Sequence, residues 1–156
     1  MTQRSRHRSA PKPLNWTPPD DPRIGYSVAR RPDGGLQVTF TNASHETLVH
    51  WRQFALNHLH TAEGMNRNLY DLRAVHSLPE EAIRLAIEAN SDPAARSVRL
   101  AILISDEAIA ARLQEIAALS MGAEMRLFTD EAGAEDWLRR PFSPFLRRAF
   151  HSADSE

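Results

Sequence analysis

The sequence contains no cysteine. Disulfides, thiolate metal sites and cysteine nucleophiles are therefore excluded, and a reducing, cytoplasmic setting is the expected one. It contains no apolar run near the roughly 20 residues that cross a bilayer. The opening MTQRSRHRSAPKPLNW is basic but has no apolar stretch behind it, so it does not read as a secretory signal. Lys12 is the only lysine, and arginine carries almost all the positive charge. Those arginines are scattered, which favours coding bias over bidentate anion recognition. Glycine is scarce, with 6 in the chain, and Gly34-Gly35 sits in a turn pattern instead of between a strand and a helix. A phosphate-cradling P-loop or dinucleotide finger is therefore unsupported. No G-x-S-x-G elbow occurs either. A formal net charge of -1 gives no reason to expect nucleic acid as a partner.

What is present is a length of 156 residues, suited to one domain with its own core. Residues 1–22 hold Pro11, Pro13, Pro18, Pro19 and Pro22 among polar and basic groups, and read as a disordered tail. Trp16 is its one large apolar group and a candidate to pin it to the domain. From Ile24 to Arg30 apolar and polar residues alternate. Pro32-Asp33-Gly34-Gly35 then makes a turn, and Leu36–Thr41 alternate again, which predicts an antiparallel hairpin. Ser44 can cap a helix reaching about Ala62, with Leu48, Trp51, Ala55 and Leu59 on one stripe. Asn68–Val75 reads as a strand. Ser77-Leu78-Pro79-Glu80 has capping-box form and opens a helix to about Ala89. Val98–Ile104 is nearly continuous in apolar character, as a covered parallel strand is. A helix capped by Ser105 or Asp106 runs to about Met121, and Glu124–Phe128 is the last strand. Asp130 caps a final short helix that Pro141 ends. The order is ββαβαβαβα. It predicts a mixed, mostly parallel five-stranded α/β sheet with an N-terminal hairpin, over 23–140.

The string Leu69-Tyr70-Asp71-Leu72-Arg73-Ala74-Val75, then Val98–Ile104, then Arg126-Leu127-Phe128-Thr129-Asp130-Glu131-Ala132 leading to Asp136-Trp137-Leu138 resembles the STAS domain. The likeness is greatest to the SpoIIAA-like branch of uncharacterised bacterial proteins, and it covers about residues 24–140. It implies four helices packed mainly on one face of the sheet. It also implies a non-catalytic regulatory role, with a protein partner held near the end of the Asp71 strand and the next helix N-terminus, by Asp71, His76, Ser77 and Glu80. The stretch Val75–Glu81 has no Asp-Ser pair and no glycine, so the likeness does not extend to a phosphorylated switch serine. SpoIIAA-like proteins resemble lipid-transfer domains in fold. The alternative they imply is a carrier of a small apolar or lipid-like ligand, in a pocket lined by Trp51, Phe54, Leu59 and Tyr70 between the sheet and helix 44–62.

Few residues offer chemistry of their own. His45, His50, His58 and His60 cluster on one helix, but none is spaced three or four from another, so no metal site is expected. Exposed or snorkelling rings are the expectation. His50 and His58 share a face about 12 Å apart, too far to share an ion. Asp71 with His76 could form an acid–imidazole couple, yet capping of the loop is the simpler role for Asp71. The acids between Asp130 and Asp136 suit a helix dipole better than a metal. No cofactor is expected. Residues 141–156 form an extension in which Phe142, Phe145, Leu146 and Phe150 mix with arginines. It either completes the core or touches a partner or an anionic membrane surface through 142–150. The first hairpin strand is a candidate sheet edge for a homodimer.

Overall fold

The structure, a computed structural model, describes residues 14, 16–61, 65–119 and 122–142. Residues 1–13 and 15 of the predicted tail and most of the C-terminal extension, including Phe145, Leu146 and Phe150, lie outside these. Strand β1 (Tyr26–Arg30) pairs antiparallel with β2 (Leu36–Phe40), Tyr26 opposite Phe40 and Arg30 opposite Leu36. Tyr26 and Val28 are buried while Ser27 and Ala29 are exposed, as the two-residue rhythm requires. The turn closes because Gly34 takes φ 92° and Asp33 accepts the Gly35 N–H at 2.9 Å.

Helix α1 (His45–Thr61) follows, its first turn capped by Ser44, whose Oγ accepts the Thr47 N–H at 3.2 Å. Then come β3 (Asn66–Asp71), α2 (Glu80–Asn90), a 3-10 turn (Pro93–Ser97), β4 (Val98–Leu103), α3 (Glu107–Leu119), β5 (Glu124–Phe128) and α4 (Glu131–Arg139). The strands lie in the order β1-β2-β3-β4-β5, the last four parallel. Each crossover steps one strand in the same direction. Right-handed connections then put α1, α2 and α3 on one face. Helix α4 lies across the other face and packs on β3, β4 and β5. The core is accordingly in two parts. The larger lies beneath α1–α3. The smaller joins Leu69, Ala101 and Leu103 to Ala134, Trp137 and Leu138.

Three local readings need correction. The third strand begins at Asn66 and stops at Asp71 instead of running over 68–75. Asp71 accepts the Arg73 N–H at 3.1 Å, and this side-chain turn lifts the chain off the sheet. Ser77 does not cap α2: the cap position is Pro79 and no side chain bonds there. Pro79 in extended geometry (φ -70°, ψ 164°) starts the helix later than a capping box at Ser77 would. The arginines are not merely scattered. Arg31, with 5% of its side chain exposed, forks onto Glu135 of α4 through two 2.8 Å bonds and also pairs with Asp33. Arg67 and Arg99, direct neighbours in the β3–β4 register, donate to carbonyls at the end of α4.

Trp16 packs on Tyr26 with ring centres 5.9 Å apart, holding the chain before β1 against the larger core. At Gly35 the β2 backbone runs so close to β3 that an added Cβ would collide with the Arg67 carbonyl. Gly35→Ala is therefore expected to cost about 2 kcal/mol or more, through forced separation of two paired strands. Urea unfolding measures it, and an unchanged midpoint would contradict that packing.

Candidate functional site

Between α1, α2 and the sheet lies a cavity of about 120 Å³. Its making is visible in the side chains. The inward stripe of α1 supplies Trp51, Phe54 and Leu59, and the sheet supplies Phe40 and Tyr70. Helix α2 lines the cavity with Ala82, Ala86 and Ala89, side chains that end at a single methyl group. The wall extends from Ala43 and Leu78, at the C-terminal end of the strands, to Asn90 and Ala95 at the other. The four residues Trp51, Phe54, Leu59 and Tyr70 thus all line one hollow.

Polar atoms are few in this wall. The Trp51 indole N–H donates to the Tyr70 hydroxyl at 3.1 Å, the two rings meeting edge-on at 85°. Burial pushes the Tyr70 hydroxyl up to about 12, against the opposing effect of the Trp51 bond, so it stays protonated at neutral pH. His58 also lines the cavity and stacks on Phe54. Burial, and then nearby Arg30, push its pKa down, and its Nε2 is buried without a hydrogen-bond partner among the described residues. It departs from the exposed ring expected of it, because its place on the α1 stripe turns it inward. Asn68, whose Oδ1 accepts the Leu36 N–H at 2.9 Å, is committed to holding β2.

The other histidines of α1 serve as struts. His45 pairs with Glu81 at 2.7 Å and His60 with Asp92 at 2.8 Å, and with Arg52–Glu88 they tie α1 to α2 and the 3-10 turn. His50 Nδ1 and the Tyr26 hydroxyl are 2.6 Å apart. No group of three or more potential metal ligands converges among the described residues.

The rim at the C-terminal ends of the strands is arranged differently from an acid–imidazole couple. Asp71 is engaged by Arg73, at 3.0 Å from Nε and 2.8 Å from Nη2. His76 faces Asp106 at 3.7 Å instead. Ser77 is exposed, and Glu80 accepts from Arg112 at 2.6 Å. Asp71 and His76 therefore belong to separate pairs; His76, Ser77 and Glu80 are exposed, and Asp71 is half-buried.

Several carboxylates are held below their ordinary range: Glu135 by Arg31, Asp71 by Arg73, and Asp92 by the Ala94 N–H and then His60. A group depressed on folding adds stability above its unfolded value and loses it as pH falls through its folded one. Folding stability is thus expected to decline modestly as pH falls through about 6.5, where His58 protonates in the unfolded chain but is held neutral in the folded one, and to fall further below about pH 4. Glu135→Gln should make that fall shallower in urea titrations. An identical acid profile would contradict the Arg31 pairing.

The chain is similar in fold to a solved structure, that of an uncharacterized protein of the DUF3478 family with a SpoIIAA-like fold, from Shewanella loihica PV-4, with TM-score 0.56. The fold is SpoIIAA-like. The likeness covers 73% of this chain and 94% of that one at 19% sequence identity, so what it establishes is the fold. No family model and no curated protein matches the chain. Within this SpoIIAA-like fold the hollow is the feature least visible in the sequence. Its one signal is the spacing of Ala82, Ala86 and Ala89, small residues on a buried helix face opposite two aromatic rings. No helix among the described residues is long and apolar enough to cross a membrane. Of the stretch expected to touch a partner or membrane surface, only Phe142 falls among the described residues, its ring 4.3 Å from the Arg67 guanidinium.

Proposed function

We propose that this protein is a non-catalytic binding module that takes a small, mainly apolar ligand into the cavity beneath α1. The observation that carries the reading is the hollow itself, about 120 Å³ lined by uncharged side chains where a packed core would otherwise be. Cavities of roughly 150 Å³ with such linings accept molecules the size of benzene. Benzene is therefore the probe of choice. Titration followed by NMR should show saturable binding with a dissociation constant on the order of 1 mM or tighter, given the energy available per non-hydrogen atom. Shifts should concentrate on α1, α2 and β3. Linear, unsaturable shifts scattered over the surface would count against the reading.

A second reading, contact with a protein partner at the rim of Asp71, His76, Ser77 and Glu80, is supported by the fold likeness and by the charged pairs there. If it holds, a partner captured from lysate by the wild-type chain should be lost with Glu80→Arg, and retained with a change on α4 such as Asp136→Ala. Equal capture by both variants would remove it.

A further inference from the structure

The cavity wall specifies more than apolarity, and the ligand class it selects rests on the cavity being a binding site. No Asp, Glu, Lys or Arg lines the hollow among the described residues, and its one histidine sits where burial favours the neutral ring. A carboxylate, phosphate or ammonium entering here would shed its water and meet no counter-charge. A charged ligand is thereby disfavoured. Tyr70 lines the wall between α1 and α2, with His58, whose Nε2 also lacks a partner among the described residues, elsewhere on it. Trp51 occupies one acceptor position of the Tyr70 hydroxyl. Its own proton has no acceptor among the described residues, although the side chain packs in the core between Phe40 and Trp51. A phenol in such a place is an incomplete hydrogen-bonding group, and completing it stabilises the complex.

From this geometry we infer that the ligand is a neutral carbonyl compound, a small hydrocarbon frame whose ketone, aldehyde or ester oxygen accepts from the Tyr70 hydroxyl. A carbonyl suits the site better than an alcohol because it accepts without bringing a proton that itself needs an acceptor. The Trp51 N–H fixes the Tyr70 oxygen and, through polarisation along the chain, strengthens its donation to the ligand.

The test uses three probes of similar size with the full-length protein: cyclohexanone, methylenecyclohexane and cyclohexanecarboxylate at pH 7.5. Both neutral probes should bind, and the carboxylate at least tenfold more weakly than the ketone. Tyr70→Phe keeps the ring and removes the donor. It should weaken cyclohexanone by about 5- to 10-fold, the loss of one hydrogen bond, and leave methylenecyclohexane within twofold. In the wild-type protein the Trp51 indole N–H resonance should move further with the ketone than with the alkene, a reading that needs no variant. An equal effect of Tyr70→Phe on both neutral probes, equal indole shifts, or a carboxylate bound as tightly as the ketone would overturn the assignment while leaving the cavity as a binding site. Failure of all three probes to bind would remove the cavity reading and this one with it.

Discussion

Arg99→Ala is expected to lower folding stability by about 3–5 kcal/mol, the range seen when one partner of a buried charged cluster is removed. The Arg99 side chain is 3% exposed. Its Nε meets Glu124 at 3.0 Å, Nη1 donates to the carbonyls of Trp137 and Arg140 at 3.2 and 2.7 Å, and Nη2 donates to Pro141 at 2.9 Å. Its guanidinium carbon lies 5.0 Å from the ring centres of both Trp137 and Phe142. Carbonyls at a helix C-terminus have no partner within the helix, and a cation there also meets the negative end of the dipole. The alanine would leave Glu124 without its ion pair and those carbonyls without their Arg99 donors. Arg99→Lys should recover only part of the loss, since an ammonium cannot reproduce the fork or the stacking. Urea unfolding of the two variants decides it. A loss under about 1 kcal/mol for the alanine, the worth of an ordinary exposed pair, would show that α4 is held by its other contacts, the apolar packing of Trp137 and Leu138 and the bonds of Arg31 and Arg67, and not by Arg99.

Ala86→Leu is expected to abolish benzene binding, weakening it more than tenfold, while raising stability by about 1 kcal/mol. The two effects together are the signature of a hollow. In a filled core the same three added carbons would force side chains off their rotamers and cost about 1–3 kcal/mol. Ala86 lines the same hollow as Trp51 and Tyr70, so the larger side chain is expected to occupy volume a ligand needs. Titration calorimetry or NMR gives the first number and thermal unfolding the second. A destabilised variant that binds as before would mean that Ala86 faces a packed neighbour.

The fold is legible in the sequence because its signals are periodic and local. Alternation over Tyr26–Arg30 and Leu36–Phe40, the near-unbroken apolar run of β4, and caps at Ser44, Asp106 and Asp130 all arise from residues a few positions apart. Where one polar atom or one ring redirects the chain, the pattern misleads: Asp71 ends its strand by bonding two residues ahead, and Pro79 overrides the capping string that begins at Ser77. The arginines look scattered because their partners are distant in sequence. Arg31 meets Glu135 across 104 positions, and no window along the chain joins them. The candidate site is half legible. Trp51, Phe54, Leu59 and Tyr70 come from stripe and alternation, whereas the emptiness between them depends on how far α2 stands off the sheet, a property of three dimensions.

Xenon reports empty apolar space without needing to resemble the natural ligand. Crystals of this protein pressurised with the gas should show a xenon atom bounded by Trp51, Phe54, Tyr70 and Ala86. Continuous side-chain density there, with xenon found only on the molecular surface, would mean that no chamber exists for a ligand to enter.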